Sequence, residues 1–166
     1  MKNQELDDIY QLYMKDIYYY IFSLCKDSYL AEDIVQETFY RAYLYLEGCN
    51  EEKIKPWLFR VAYNTFVDFK RKQSKSLIKD DGYFEQISES KTLEEEFLRQ
   101  EQMNEINEII ANIPENQKQA ILLCDFNGLS YKEAAEIMNV SLSHLKVLLF
   151  RARGRIRIKR RDDNIE

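Results

Sequence analysis

Residues 128–153 constrain the fold more tightly than any other stretch, because two helix starts there each carry their own cap. Ser130 and Glu133 stand at the spacing of a capping box, which predicts a helix beginning at Tyr131. Ala134, Ala135 and Ile137 give that helix a thin apolar side. Met138-Asn139-Val140 is the expected turn, since asparagine tolerates a left-handed backbone. Ser141 then caps a second, longer helix.

Laid out at about 100° per residue, Leu142, Leu145, Leu148, Leu149, Ala152 and Ile156 fall within an arc of roughly 120° that must face a core. Ser143, Val147, Phe150 and Gly154 fall on the opposite side, flanked by Lys146, Arg151, Arg153, Arg155 and Arg157. Such a helix is packed on one side, hydrogen-bonding at its exposed start and basic along its flanks. It suits the major groove of duplex DNA, with its first residues at base edges and its cations at phosphates. An ordinary helical hairpin with a solvated basic face has a similar arc. The agreement of caps, turn and arc favours a helix-turn-helix.

The net charge of −5 hides a segregation. Residues 1–52 carry 4 basic and 11 acidic side chains, and residues 80–140 carry 4 and 14. Residues 53–79 carry 8 basic and 1 acidic, and residues 141–166 carry 8 and 3. Two basic islands in an acidic chain predict two contacts with a polyanion, and the acidic remainder predicts weak unaided affinity for DNA.

Four glycines and two prolines leave little room for the tight turns of a β fold, so an all-α fold is expected. Residues 5–24 predict a helix with Leu6, Ile9, Tyr13, Ile17, Tyr20 and Leu24 on one face, and Asp27 or Ser28 caps the next. Residues 29–46 predict that next helix, with Leu30, Ile34, Thr38, Ala42 and Tyr45 on one side. Its other side is polar, with Asp33, Gln36, Glu37, Tyr40 and Arg41. Gly48-Cys49-Asn50 breaks the pattern, and Pro56 is the expected first residue of a third helix running to about Lys72. Trp57, Leu58, Val61, Ala62, Thr65, Phe66 and Phe69 make its apolar side. Cations mixed with aromatics there suit a surface that stacks unpaired bases, although residue type alone favours Trp57 as a core anchor. Residues 73–91 lose periodicity and read as a linker. Thr92 and Glu95 form another capping pair, opening a helix to about Ala111. Pro114 then opens a helix over residues 115–125 that sends Ala120, Ile121, Leu123 and Cys124 to the core. The C-terminal arginine-rich tail is expected to continue the second helix of the pair and then fray.

No apolar run is long enough to cross a bilayer, and the acidic start MKNQELDD is unlike a signal peptide. Cys25, Cys49 and Cys124 form no metal pattern and read as reduced thiols of a cytoplasmic protein. The single histidine, His144, lacks a nucleophile and an orienting carboxylate nearby in sequence, and no phosphate-loop or dinucleotide glycine pattern is present. A protein without catalytic site, metal or cofactor is expected.

The segments LAEDIVQETFYRAY and IKPWLFRVAYNTFVDFKRK together resemble region two of the extracytoplasmic-function (ECF) group of bacterial sigma factors. The segment IPENQKQAILLCDFNGLSYKEAAEIMNVSLSHLKVLLFRAR resembles region four. The resemblance implies two small helical domains, residues 1–73 and 92–166, joined by a flexible linker over residues 74–91. It implies a factor that binds core RNA polymerase and directs promoter-specific initiation. Asp33, Gln36, Glu37 and Arg41 would then meet the polymerase clamp. Lys53, Lys55, Trp57, Arg60, Asn64, Asp68 and Arg71 would meet the minus-ten element and its melted strand. Ser141, Ser143, His144, Lys146, Val147 and Arg151 would meet the minus-thirty-five element as duplex. An anti-sigma factor, often membrane-bound in the group, is a candidate partner. Two positions depart from the group: Asn139 stands where glycine is common, and Val147-Leu148 follow Lys146 where a small or polar residue and arginine are common. Leu148 lies in the apolar arc, so base reading must lean on other side chains.

Overall fold

A computed structural model describes residues 2–45, 51–76 and 108–165. The described secondary structure is helical throughout. The chain divides into two compact units, residues 1–91 and 92–166.

The first unit is built on α1 (Lys2–Cys25), α2 (Ser28–Tyr45) and α3 (Glu51–Ser76), and each packs on the other two. Lys26 ends α1 in a left-handed conformation, φ 56°, which costs a side-chain-bearing residue about 1–2 kcal/mol. That reversal brings Asp27 into the cap position, where its carboxylate accepts from the backbone N–H of Tyr29 (3.0 Å) and Leu30 (3.3 Å). Ile17, Tyr20, Ile21 and Leu24 of α1 meet Ile34, Val35 and Phe39 of α2 in the core. The buried hydroxyls of Thr38 and Thr65 donate to the carbonyls of Ile34 and Val61, both at 2.7 Å, so neither is left unsatisfied.

Three expectations for this unit are corrected. First, α3 begins at Glu51, ahead of Pro56. Pro56 lies in the second turn, where it forfeits the bond to the carbonyl of residue 52 and crowds that carbonyl with its ring, and Ile54 in the turn before it is buried. Second, the buried side of α3 is wider than the predicted one. Leu58, Ala62, Thr65 and Phe66 are buried as expected, and Phe59 is fully buried as well, against Tyr20 with ring centroids 5.3 Å apart. Phe69, in line with the expected residues toward the C-terminal end, is 40% exposed. Because α3 lies against both α1 and α2, two flanks of the helix are covered rather than one. Third, Tyr45 of the predicted apolar side of α2 is exposed, because it lies at the last turn where packing has ended. The glycine break at 48–50, the linker from residue 77 and the start of the helix expected from Thr92 lie outside the described residues, whereas residues 73–76 are helical.

In the second unit, residues 108–111 are helical and bury Ile109 and Ile110. Pro114 precedes α4 (Glu115–Ile121), as expected of a residue with no N–H to leave unsatisfied. The expected continuation to residue 125 is not α-helical. Leu122–Phe126 form a π-turn, closed by bonds from Leu129 N–H to Leu123 (3.0 Å) and from the Asn127 side-chain amide to the Leu122 carbonyl (2.7 Å). The predicted core residues Ala120, Ile121, Leu123 and Cys124 are buried despite the change of winding. Then come α5 (Tyr131–Met138) and α6 (Leu142–Ile165), which packs on α4 and α5. The helix of α6 continues through the tail to Ile165, as the sequence pattern predicts for its first part.

Candidate nucleic-acid and protein interfaces

The geometry of α5 and α6 follows from short-range bonds. The Ser130 hydroxyl accepts from Glu133 N–H (3.0 Å), and the Glu133 carboxylate accepts from Ser130 N–H (2.9 Å). Asn139 adopts φ 57°, ψ 47°, and lets the chain turn back into α6. The Ser141 hydroxyl accepts from His144 N–H at 3.1 Å. Each such cap contributes about 1 kcal/mol, and together they fix where α6 begins.

Leu145, Leu148, Leu149 and Ala152 are buried, as the arc requires. Leu142, also placed in the arc, is 44% exposed. It is the first residue of α6, and helical side chains lean toward the N-terminus, so it projects past the packed end. Ser143, His144, Lys146, Val147 and Arg151 are all exposed on the remaining surface, with the capping Ser141 at its edge. One residue of this face was not among the predicted contacts: Phe150 is 77% exposed, beside Val147 and Arg151. The sequence held the signal, a phenylalanine directly opposite the apolar arc with no core to enter.

On α3, Lys53, Trp57, Arg60, Asn64, Asp68 and Arg71 recur at i, i+4, i+7, i+11, i+15 and i+18. That spacing holds them in one stripe along the side away from Leu58, Ala62 and Phe66. Lys53, Arg60, Asn64, Asp68 and Arg71 are exposed, and Trp57 is part-buried at the edge of the stripe rather than in the core. Lys55 is not brought together with them. It falls on the opposite side of the helix, in the turn that buries Ile54.

On α2, Asp33, Gln36 and Glu37 are exposed, and Arg41 pairs with Glu37 at 3.1 Å. Tyr29, Tyr40 and Leu44 share that outward side, each at least 40% exposed. A helix with a buried face of its own that also displays aromatic and aliphatic groups among carboxylates offers a protein-docking surface. The sequence reading had Tyr40 on this side but not Tyr29 or Leu44.

The two described thiols, Cys25 and Cys124, add no reactive centre. Burial pushes Cys25 up to about 11, and burial together with the Asp125 charge pushes Cys124 up to about 11. Both are neutral at physiological pH. Among the described residues no group of histidine, cysteine and carboxylate side chains is arranged to hold a metal ion. No described helix is long and apolar enough to cross a membrane.

Residues 9–76 match the family Sigma-70 region 2, and residues 103–156 match Sigma-70, region 4. Over 153 residues the chain is 39% identical to the ECF RNA polymerase sigma factor SigM of Bacillus subtilis, covering 92% of this chain and 93% of that one. Among solved structures, it is similar to the sigma factor RpoE of Bartonella quintana, determined in complex with the anti-sigma factor NepR. The TM-score is 0.70 at 24% identity, over 92% of this chain and 94% of that one. CnrH, determined in complex with the cytosolic domain of CnrY, gives a TM-score of 0.64 at 17% identity, over 97% and 90%. Both likenesses concern the fold.

Proposed function

The chain belongs to the extracytoplasmic-function group of RNA polymerase sigma factors, and from that premise we propose how its three outward faces divide the work. As an alternative sigma factor it binds core RNA polymerase and directs promoter-specific transcription initiation. The residue assignments below, a first domain that ends with α3 at Ser76 rather than at residue 73, a second that starts at residue 92, a cytoplasmic site of action and the absence of any catalytic step of its own are part of the proposal.

The face of α2 around Asp33, Gln36, Tyr40 and Leu44 docks on the polymerase. Its exposed apolar groups supply area, and its carboxylates select a basic counterpart. The α3 stripe holds the melted strand of the minus-ten element, with Trp57 as stacking platform and Lys53, Arg60 and Arg71 at phosphates. Lys55, on the far side, contributes charge to the island rather than a contact in the stripe. The α6 face reads the minus-thirty-five duplex. Ser143 and His144 approach base edges, Val147 and Phe150 offer apolar contact to thymine methyls, and Lys146 and Arg151 hold phosphates. The observation that carries this reading is that the described cations of both basic islands lie on helices whose opposite sides are packed in a core, so that, Lys55 apart, they line the outer surface. An anti-sigma factor that covers these faces would silence the protein.

The direct test is reconstitution. The purified chain added to core polymerase is expected to give promoter-specific transcripts, and Asp33→Ala or Gln36→Ala is expected to weaken core association in a pull-down or fluorescence titration. A chain that does not bind core polymerase would overturn the assignment of α2. A second test separates the DNA faces. Lys146→Ala and Arg151→Ala each should weaken upstream-duplex binding and reduce the salt dependence of log K by about one unit of slope. Core binding should be unchanged, and an equal loss of both activities would contradict the division of labour.

A further inference from the structure

The apolar arc seats α6, but aliphatic contacts are not directional. They set which arc of the helix is buried but hold its exact rotation less tightly than a pair of hydrogen bonds does, and that rotation decides how the exposed side chains meet base edges. One directional contact is made where α6 leaves the core. Arg153, next to the fully buried Ala152, donates from Nε to one oxygen of Asp125 (2.9 Å) and from Nη2 to the other (2.6 Å). Two parallel bonds between planar groups fix orientation as well as distance. The Asp125 carboxylate, and after it the Tyr131 side chain, hold the Arg153 guanidinium well above its usual range. Asp125 lies inside the π-turn Leu122–Phe126. A wider turn carries extra chain, so its side chains sit on a different face from the one an unbroken α-helix would give them. The pair therefore ties α6 to the segment ahead of α5, across 28 residues of sequence.

We propose that Asp125, aimed by the π-turn, and Arg153 are positioning residues for duplex reading, setting the azimuth of α6, and that Arg153 is not a phosphate contact despite its place among the cations of that helix. The inference rests on the reading of α6 as the duplex reader. It distinguishes two roles that charge alone makes equivalent. A phosphate-binding arginine acts without its carboxylate, and neutralising a nearby acid strengthens DNA binding by removing repulsion. A positioning arginine needs its carboxylate, and neutralising that acid weakens specific binding.

The experiment uses the full chain with core polymerase on a promoter carrying the upstream element and on one with that element scrambled, over a range of salt. Asp125→Asn is expected to lower the preference for the intact element about 5- to 10-fold, with core association and the slope of log K against log salt unchanged. Arg153→Ala is expected to do the same and the double variant no worse, because the two residues act as one unit. The exchange Asp125→Arg with Arg153→Asp is expected to recover part of the preference, and this readout stands even if a single variant folds poorly. The proposal is overturned if Arg153→Ala flattens the salt slope by about one while Asp125→Asn binds as well as or better than the parent. It is also overturned if the two losses add, or if the exchange recovers nothing. Lys146→Ala and Arg151→Ala run alongside. If neither weakens binding of the upstream duplex nor lowers the salt slope, the reading of α6 itself fails. If they do and Asp125→Asn leaves the preference for the intact element unchanged, only the positioning pair fails.

Discussion

Trp57→Ala is expected to slow promoter opening by the holoenzyme roughly 5- to 150-fold, corresponding to the 1–3 kcal/mol that a stacked base contributes. Separating base pairs costs on the order of 1–2 kcal/mol per step, so the protein must offer the exposed bases something that duplex DNA does not. Along the α3 stripe only Trp57 presents a large π face, and it lies one helical turn from both Lys53 and Arg60. The effect is measured as the rate at which thymines near the start site become permanganate-reactive. It should be matched by an equal loss of affinity for the single nontemplate strand. Because Trp57 is part-buried, an alanine also removes packing, and Trp57→Leu separates the two contributions. Leucine keeps apolar volume without a stacking face, whereas Trp57→Tyr keeps the face. Slow opening with leucine and near-normal opening with tyrosine supports stacking. Normal opening with leucine would make Trp57 a packing residue.

The features read correctly from sequence are those dictated over three or four residues. The Ser130–Glu133 box, the left-handed Asn139 and the Ser141 cap each depend on neighbours within one turn, so local chemistry suffices. The burial of Leu145, Leu148, Leu149 and Ala152 follows from helical periodicity alone. What escaped is set by the packing of distant segments. Phe59 is buried only because α3 lies against two helices, and a single hydrophobic stripe does not announce a second partner. The π-turn at Leu122–Phe126 has no residue signature, and its consequence, the contact between Asp125 and Arg153, joins positions too far apart for any spacing rule. Of the candidate site, the outward faces of α3 and α6 were legible because charge segregates there. The displacement of Lys55 to the far side of α3 was equally present in the spacing. It follows once the residues are laid around the helix rather than grouped by charge.

Phe59→Ala should destabilise the first unit by about 3–5 kcal/mol, the range for removing a fully buried aromatic ring. Phe59 is 0% exposed, and its ring packs against that of Tyr20 on α1. A unit whose described core is three helices has little reserve, since whole domains are stable by only about 5–15 kcal/mol. Trp57 is the chain's one tryptophan, so intrinsic tryptophan fluorescence in urea reports on this unit and not on the other. At about 1–2 kcal/mol per molar of urea the midpoint should fall by roughly 2 M or more. Both the polymerase-docking face of α2 and the stripe of α3 depend on this core, so core association and promoter opening should fail together. The second unit has a core of its own in Leu123, Ala134, Leu145 and Leu149, and binding of the upstream duplex at low salt should survive. A midpoint shift corresponding to less than about 1 kcal/mol would mean that the site collapses around the missing ring, contrary to its full burial. Loss of duplex binding in step with the fluorescence transition would mean that the two units do not fold independently, and the assignment of separate tasks to separate units would lose its physical basis.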